Sequence, residues 1–135
     1  MPTELIIVTP QGEAFRGPVD SVVLPGSEGD FGVLEKHERF LSPLKVGEVE
    51  IKTAEGSTWA AIATGFADVS GQQVTVLVES CEIAADIDGA KAELDLERAR
   101  EGLAAVDAEQ ERDRYEHFEA AIALAEARVA VSRKH

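Results

Sequence analysis

His37, His117 and His135 are the histidines of this 135-residue sequence, and Cys81 is its single cysteine. Metal sites draw on ligands a few residues apart on one element, and no H-E-x-x-H or other paired arrangement occurs. The three histidines fall in three different predicted elements, so a shared metal is not expected. Cys81 stands beside Glu82 in an acidic stretch. That neighbourhood raises a thiol pKa and argues against a reactive thiolate. One cysteine also forms no intrachain disulfide and supports no thiolate cluster, which fits a reducing compartment. The segment Gly26-Ser27-Glu28-Gly29 contains a serine, but a nucleophile elbow needs glycine two residues to either side of it. Its simpler reading is a polar turn. No G-x-x-x-x-G-K-[ST] loop is present to cradle a triphosphate. The 26 acidic residues are spread along predicted exposed faces and read as solvated surface. These residues describe a scaffold or binding protein, not an enzyme.

The elements that would position such a binding surface divide the chain in two. Apolar residues make up 44% of the sequence but aromatics only 5%, so the core must be filled by Val, Ile, Leu and Ala. Through about residue 85 the periodicity is that of strands. Leu5–Thr9, Ala14–Arg16, Ser21–Leu24, Phe31–Leu34, Gly47–Thr53, Thr58–Thr64, Phe66–Val69 and Gln73–Glu79 are short, rich in Val, Ile and Thr, and separated by Gly and Pro. Alternation such as Val49-Glu50-Ile51 turns one face inward and the other to water. The predicted fold class is β + α: residues 1–85 form an antiparallel β-sandwich, and residues 86–135 an antiparallel two-helix hairpin.

From Asp86 onward there is no proline, and Gly89 and Gly102 are the only glycines. Asp86 or Asp88 suits a helix N-cap. Ile87, Ala90, Leu94, Ala99, Leu103 and Val106 mark one apolar stripe; Phe118, Ala121, Ile122, Ala125 and Val129 mark another. The polar run Asp107–Asp113 is placed between them as the turn. Two small stripes predict a thin hairpin core and a modest hold on the sandwich. Gly102, inside the first helix, is expected to weaken it by ~1 kcal/mol relative to Ala and to ease opening.

A net charge of −13 repels phosphate backbones and anionic lipid headgroups, so neither nucleic acid nor direct membrane insertion is expected. No apolar run approaches the ~20 residues of a spanning helix. The start MPTELIIV has no basic region of a signal or transit peptide, and the chain is read as cytosolic and mature as written.

One stretch is more specific. Gly26-Ser27-Glu28-Gly29-Asp30-Phe31-Gly32, followed by Val33-Leu34, His37, Leu41, Leu44 and Gly47, resembles the signature of the ATP synthase epsilon subunit family. Leu5-Ile6-Ile7-Val8-Thr9-Pro10, Thr64-Gly65-Phe66-Ala67-Asp68-Val69 and Val74-Thr75-Val76-Leu77 resemble further strands of that family in the same order. The resemblance extends over the whole chain, since the family also ends in two helices. Two departures are local: Glu35-Lys36 replaces the usual Pro-Gly or Pro-Asn before the histidine, and Gly65 lacks a second glycine beside it.

The resemblance implies a non-catalytic rotor subunit of a proton-translocating ATP synthase. Its sandwich would bind the gamma subunit and the polar loops of the c-ring, coupling ion flow to ATP synthesis. It would sit at the cytoplasmic face of the bacterial inner membrane as a peripheral subunit. Ser27, Glu28, Gly29, Asp30 and His37 align with the gamma and c-ring interface. The hairpin would be a regulatory element able to reach the alpha/beta head and restrain ATP hydrolysis. In some family members it binds ATP through a motif resembling [IL]-D-x-x-R-A. Here that motif reads Ile87-Asp88-Gly89-Ala90-Lys91-Ala92, with Arg98 and Arg128 downstream and Leu124 where another arginine is usual. Lys91 lacks the planar fork of arginine, so Asp88, Lys91, Arg98 and Arg128 form a degenerate nucleotide motif and no cofactor is expected. Two rival readings predict different behaviour. A free-standing β-sandwich adaptor or ligand-binding module dimerising through its helices would be a stable homodimer without affinity for a stalk protein. A small carboxylate enzyme would carry shifted pKa values in a cleft.

Overall fold

The computed structural model describes residues 3–33 and 37–134, without the side chains of His37 and Glu38. Among the described residues ten strands precede two helices. They are β1 (Thr3–Thr9), β2 (Gly12–Val19), β3 (Ser21–Gly26), β4 (Gly29–Val33), β5 (His37–Leu44), β6 (Gly47–Thr53), β7 (Gly56–Ile62), β8 (Gly65–Gly71), β9 (Gln73–Val78) and β10 (Cys81–Ile83). A 3-10 turn, Ala84–Asp86, leads to α1 (Gly89–Ala104) and α2 (Arg112–Ser132). The strands join in the order β10-β7-β6-β3-β5-β8-β9-β1-β2, with β4 on β3. The β3–β5 junction is a single pairing, Gly26 with Leu44. There the sheet folds into the two layers of a sandwich, and Leu5, Ile7, Val22, Leu24, Val49, Ile51, Ile62, Val69, Val74 and Val76 fill the space between them.

The predicted sandwich and hairpin are both present. The pairings described are antiparallel except β1 with β9, which run parallel, with β1 lying between β9 and its hairpin partner β2. Two strands escape the periodicity. β5 ends in Ser42-Pro43-Leu44 and has an irregular register between His37 and Phe40, and β10 is only three residues long. Neither offers a run of alternating β-formers.

The hairpin differs from its sequence reading in two places. Ala90 and Leu94 face solvent, and the buried positions of α1 are Ala92 and Ala99. The seven-position step from one to the other is two helical turns, so the inner stripe is set nearer 92/96/99/103 than 90/94. Residues 105–111 form the connection, while Arg112 and Asp113 already belong to α2. Asp107 stabilises the connection: its Oδ1 accepts from the backbone N–H groups of Glu109 (2.8 Å) and Gln110 (2.9 Å). Those bonds hold its carboxyl below the usual carboxylate range.

Helix α2 is buried on two sides. Toward α1 it sets Phe118 against Gly102 and Ser132 against Gly89, while Ala127 and Val131 pack on Ala61 and Ala84 of the sandwich side. Gly102 therefore has a packing role. A Cβ there would stand 2.6 Å from Cζ and 2.8 Å from Cδ1 of Phe118, inside the ring's van der Waals envelope. Gly102→Ala is expected to lower the melting temperature, although propensity alone favours Ala by ~1 kcal/mol. In a Phe118→Ala background the same change should stabilise, a reversal of sign that a double-mutant thermal denaturation cycle reads directly.

Candidate functional site

The sequence segment of greatest interest forms a tight hairpin between β3 and β4. Gly26 pairs with Gly29, and Ser27 and Glu28 make the two-residue turn. Gly29 has φ +130°, a conformation that L side chains rarely adopt, so glycine is required at that corner. The turn is tied to the neighbouring layer: Ser27 N–H donates to the Pro43 carbonyl (3.1 Å), and Lys45 N–H donates to that of Pro25 (2.9 Å). Ser27, Glu28, Gly29 and Asp30 are all exposed. Together with Phe31, Phe40, Leu41, Ser42 and Pro43 the turn borders an open groove of about 350 Å³. The rings of Phe31 and Phe40 meet edge to face, 5.7 Å between centroids, at its floor. The predicted interface residues 27–30 are thus one contiguous corner. The side chain of the fifth, His37, lies outside the described residues.

Beside that corner is a feature the sequence reading missed. In β8 and β9 the inward positions are Ala67 and Val69, and Val74, Val76 and Val78. Phe66 and Leu77 must then face outward, and they are paired across the two strands. The row continues to Pro43 on β5 and Val8 on β1, each in register. Four adjacent strands at ~4.8 Å spacing make this a strip about 14 Å wide. Phe66 is 53% exposed, Leu77 51%, and Leu41, one step along on β5, 67%. Large apolar side chains on a face whose alternation favours polar residues mark an interaction surface. The signal was available in the sequence: once Ala67 and Val76 are inward, Phe66 and Leu77 are not.

The residues of the degenerate nucleotide motif are distributed differently. Asp88 caps α1, its Oδ1 accepting from the backbone N–H of Lys91 at 3.1 Å. Lys91 Nζ lies 3.6 Å from Asp95. Arg98 is exposed on α1. Arg128, whose side chain is only 14% exposed, is held between two carboxylates from different elements. Its Nη1 donates to Asp95 on α1 at 3.2 Å. Its Nε is 2.7 Å from Glu82 on β10. That Nε contact is off the N–H axis, so it acts as a charge contact, leaving Nε without a well-aligned hydrogen bond. The cluster brings Asp88, Lys91 and Arg128 into one neighbourhood in which Asp95 and Glu82 already occupy the cations.

Among the described residues no group of three His, Cys, Asp or Glu side chains is arranged to hold a metal, and no helix is long and apolar enough to cross a membrane. Cys81 is half-buried against the sandwich core. Burial first, and the Glu82 charge second, push its thiol up to about 11. The sequence suggested the carboxylate as the cause; the core is the larger one.

Residues 3–84 match the family model described as "ATP synthase, Delta/Epsilon chain, beta-sandwich domain". The chain is 42% identical to the ATP synthase epsilon chain of Maricaulis maris over 79% of its own length and 80% of that protein's. It belongs to the ATP synthase epsilon chain family. With the epsilon chain of Syntrophobacter fumaroxidans the match is 40% and takes in the helices, covering 97% of this chain and 96% of the other. The fold matches a chain of the Euglena gracilis mitochondrial ATP synthase with a TM-score of 0.81, at 23% identity, over 99% of this chain and 82% of that one. A chain of the Tetrahymena thermophila mitochondrial ATP synthase central stalk and c-ring matches at 0.65, with 12% identity over 96% and 97%. Epsilon chains are subunits of the synthase rather than its catalytic part.

For Cys81, the raised pKa means that the folded chain holds the thiol proton more tightly than the unfolded chain does. Its contribution to stability is complete below about 9, the ordinary thiol value, and is lost as pH rises toward about 11. Alkylation at pH 8 should be far slower in the native chain than in denaturant, where the thiol regains an ordinary pKa. Equal native and denatured rates by mass spectrometry would contradict the burial.

Proposed function

We propose that this chain is a rotor subunit of the central stalk of a proton-translocating ATP synthase. In this reading residues 1–85 dock it and residues 86–135 regulate it. The outward row of Pro43, Phe66, Leu77 and Val8, adjoining the turn at Ser27–Asp30, carries the proposal. Burying the exposed halves of Phe66, Leu77 and Leu41 against the gamma subunit is worth about 1 kcal/mol each. A rim ion pair from Glu28 or Asp30 to a basic c-ring loop is worth ~0–1 kcal/mol. The apolar strip therefore supplies affinity, and the acidic corner orientation and partner choice. Such a chain works at the cytoplasmic face of the inner membrane while touching only protein.

The hairpin is proposed to restrain ATP hydrolysis at the alpha/beta head without a bound nucleotide. Asp95 and Glu82 stand where a phosphate would have to approach Lys91 and Arg128, and an incoming triphosphate would meet those carboxylates as like charges. The adaptor reading, in which the helices dimerise, lacks a free apolar face: α2 is packed on α1 on one side and on the sandwich on another.

Two experiments test these points. Phe66→Glu or Leu77→Glu is expected to weaken binding to a purified gamma subunit more than tenfold. Glu28→Lys should chiefly change the association rate and its salt dependence, and undiminished binding by both apolar variants would sink the docking surface. Deleting 86–135 from the assembled synthase is expected to raise ATP hydrolysis, and micromolar ATP should leave the melting temperature of the intact chain unchanged. Unaltered hydrolysis reduces the hairpin to a structural part, and a clear thermal shift restores the nucleotide site.

A further inference from the structure

The corner at Ser27–Asp30 marks one end of the sandwich, where Leu44 meets Gly26 and Gly65. At the opposite end Thr53 pairs with Gly56 and Thr3 with Val19, and Asp20 N–H donates to the Lys52 carbonyl at 2.7 Å. An open groove of about 380 Å³ lies there, bordered by Phe15, Gly17 and Pro18 of β2, by Asp20, and by Ala54 and Glu55 of the β6–β7 turn. The sequence of β2 creates it. The register slips between Ile7 and Val8, so Ala14 and Phe15 both pack toward the core. From Phe15 the alternation sends Gly17 and Val19 inward, and Val19 is buried. Gly17 is the inward position with no side chain to contribute. Its backbone does not ask for glycine: φ is outside the left-handed region, and a Cβ would meet Phe15 Cζ at an ordinary 3.9 Å. Glycine inside a strand weakens it, so what this one supplies is space.

We propose that this groove is a second docking surface, filled by a lysine or arginine side chain of a protein partner in the assembled synthase; the partner's source rests on the stalk reading. The lining decides the chemistry. Phe15, Pro18 and Ala54 offer apolar surface to an aliphatic stem, and the exposed Asp20 and Glu55 offer carboxylates to its charged head. A long cationic side chain is the protein group that has both parts. No residue lining the groove is basic, and Arg16 of β2 is already engaged by Glu13 and Glu4. The occupant enters as a side chain and not as an added strand. Glu4 N–H donates to Gln72 beside β9 at 2.7 Å, so Pro18, opposite Glu4 in β2, turns its backbone to the free edge, where it has no N–H to give. A second copy of this chain is disfavoured, since each carries a net charge of −13. Groove and corner lie at opposite ends of the sandwich, so both can be occupied at once.

In the free chain, N-acetyl-lysine methylamide and its uncharged analogue N-acetyl-norleucine methylamide are titrated and followed by amide NMR shifts. The lysine probe is expected to move Phe15, Gly17, Asp20, Ala54 and Glu55, and to bind about fivefold tighter than norleucine, the worth of an exposed ion pair. Gly17→Leu fills the groove from within and should abolish those shifts without lowering the melting temperature. Glu55→Lys, on an exposed turn, should abolish the preference for lysine and serves if Gly17→Leu folds poorly. In the purified synthase, carbodiimide labelling of Asp20 and Glu55 should be severalfold slower than in the free chain. Gly17→Leu should restore the free-chain rate while the chain still co-purifies through the strip around Phe66 and Leu77. No shifts, equal affinity for the two probes, or shifts untouched by both variants overturn the cation groove. Unslowed labelling in the synthase overturns the protein partner, and tighter binding of spermidine than of the lysine probe then makes the occupant a small polyamine. Absence of the chain from the purified synthase overturns the stalk reading and the partner with it, while the probe titration still decides the groove.

Discussion

Side-chain alternation along β8 and β9 decides what this molecule shows to other molecules. A strand has two faces, and the sandwich closes only if Ala67, Val69, Val74 and Val76 point inward. Given that register, Phe66 and Leu77 are committed to the outside, directly opposite one another. The same geometry carries the row to Pro43 and Val8, because register is passed from strand to strand across the sheet. The interior thus dictates the position of the exterior strip. A one-residue slip would bury the strip and expose the core, so the exposed strip and the stability of the sandwich stand or fall together.

The corner at Ser27–Asp30 depends on that arrangement in turn. It is fixed by the Gly26–Gly29 pairing and by its backbone bond to Pro43, itself a member of the outward row. Apolar strip and acidic turn are therefore mechanically continuous. Cys81, pushed away from ionisation by the core, is a packing residue.

The helical half follows a different constraint. Helix α2 has to satisfy α1 and the sandwich simultaneously, so apolar residues appear on two of its sides and no single clean stripe describes it. Small side chains at the seam, Ala61, Ala84 and Ala127, let α2 and the sandwich side approach closely. Arg128 sits where three elements meet and is the least exposed cation of the described ion pairs. Its two carboxylate partners belong to different elements, Glu82 on β10 and Asp95 on α1.

The two-part architecture was legible in the sequence. Strand and helix periods, glycine and proline punctuation, and composition are local properties, and they change together near residue 85. Family membership was legible too, because the Gly26–Gly47 pattern and the order of strands around it are carried in the chain itself. Three things came only with the tertiary structure. β5 and β10 are strands because neighbouring strands accept them, not because their residues favour extension. The role of Gly102 depends on Phe118, sixteen positions on, whose ring occupies the space a side chain would need. The partners of Arg128 and Lys134 lie 46 and 86 residues away from them at Glu82 and Glu48. Spacing along the chain reports which face of an element a residue occupies, but only packing reports which other face it meets.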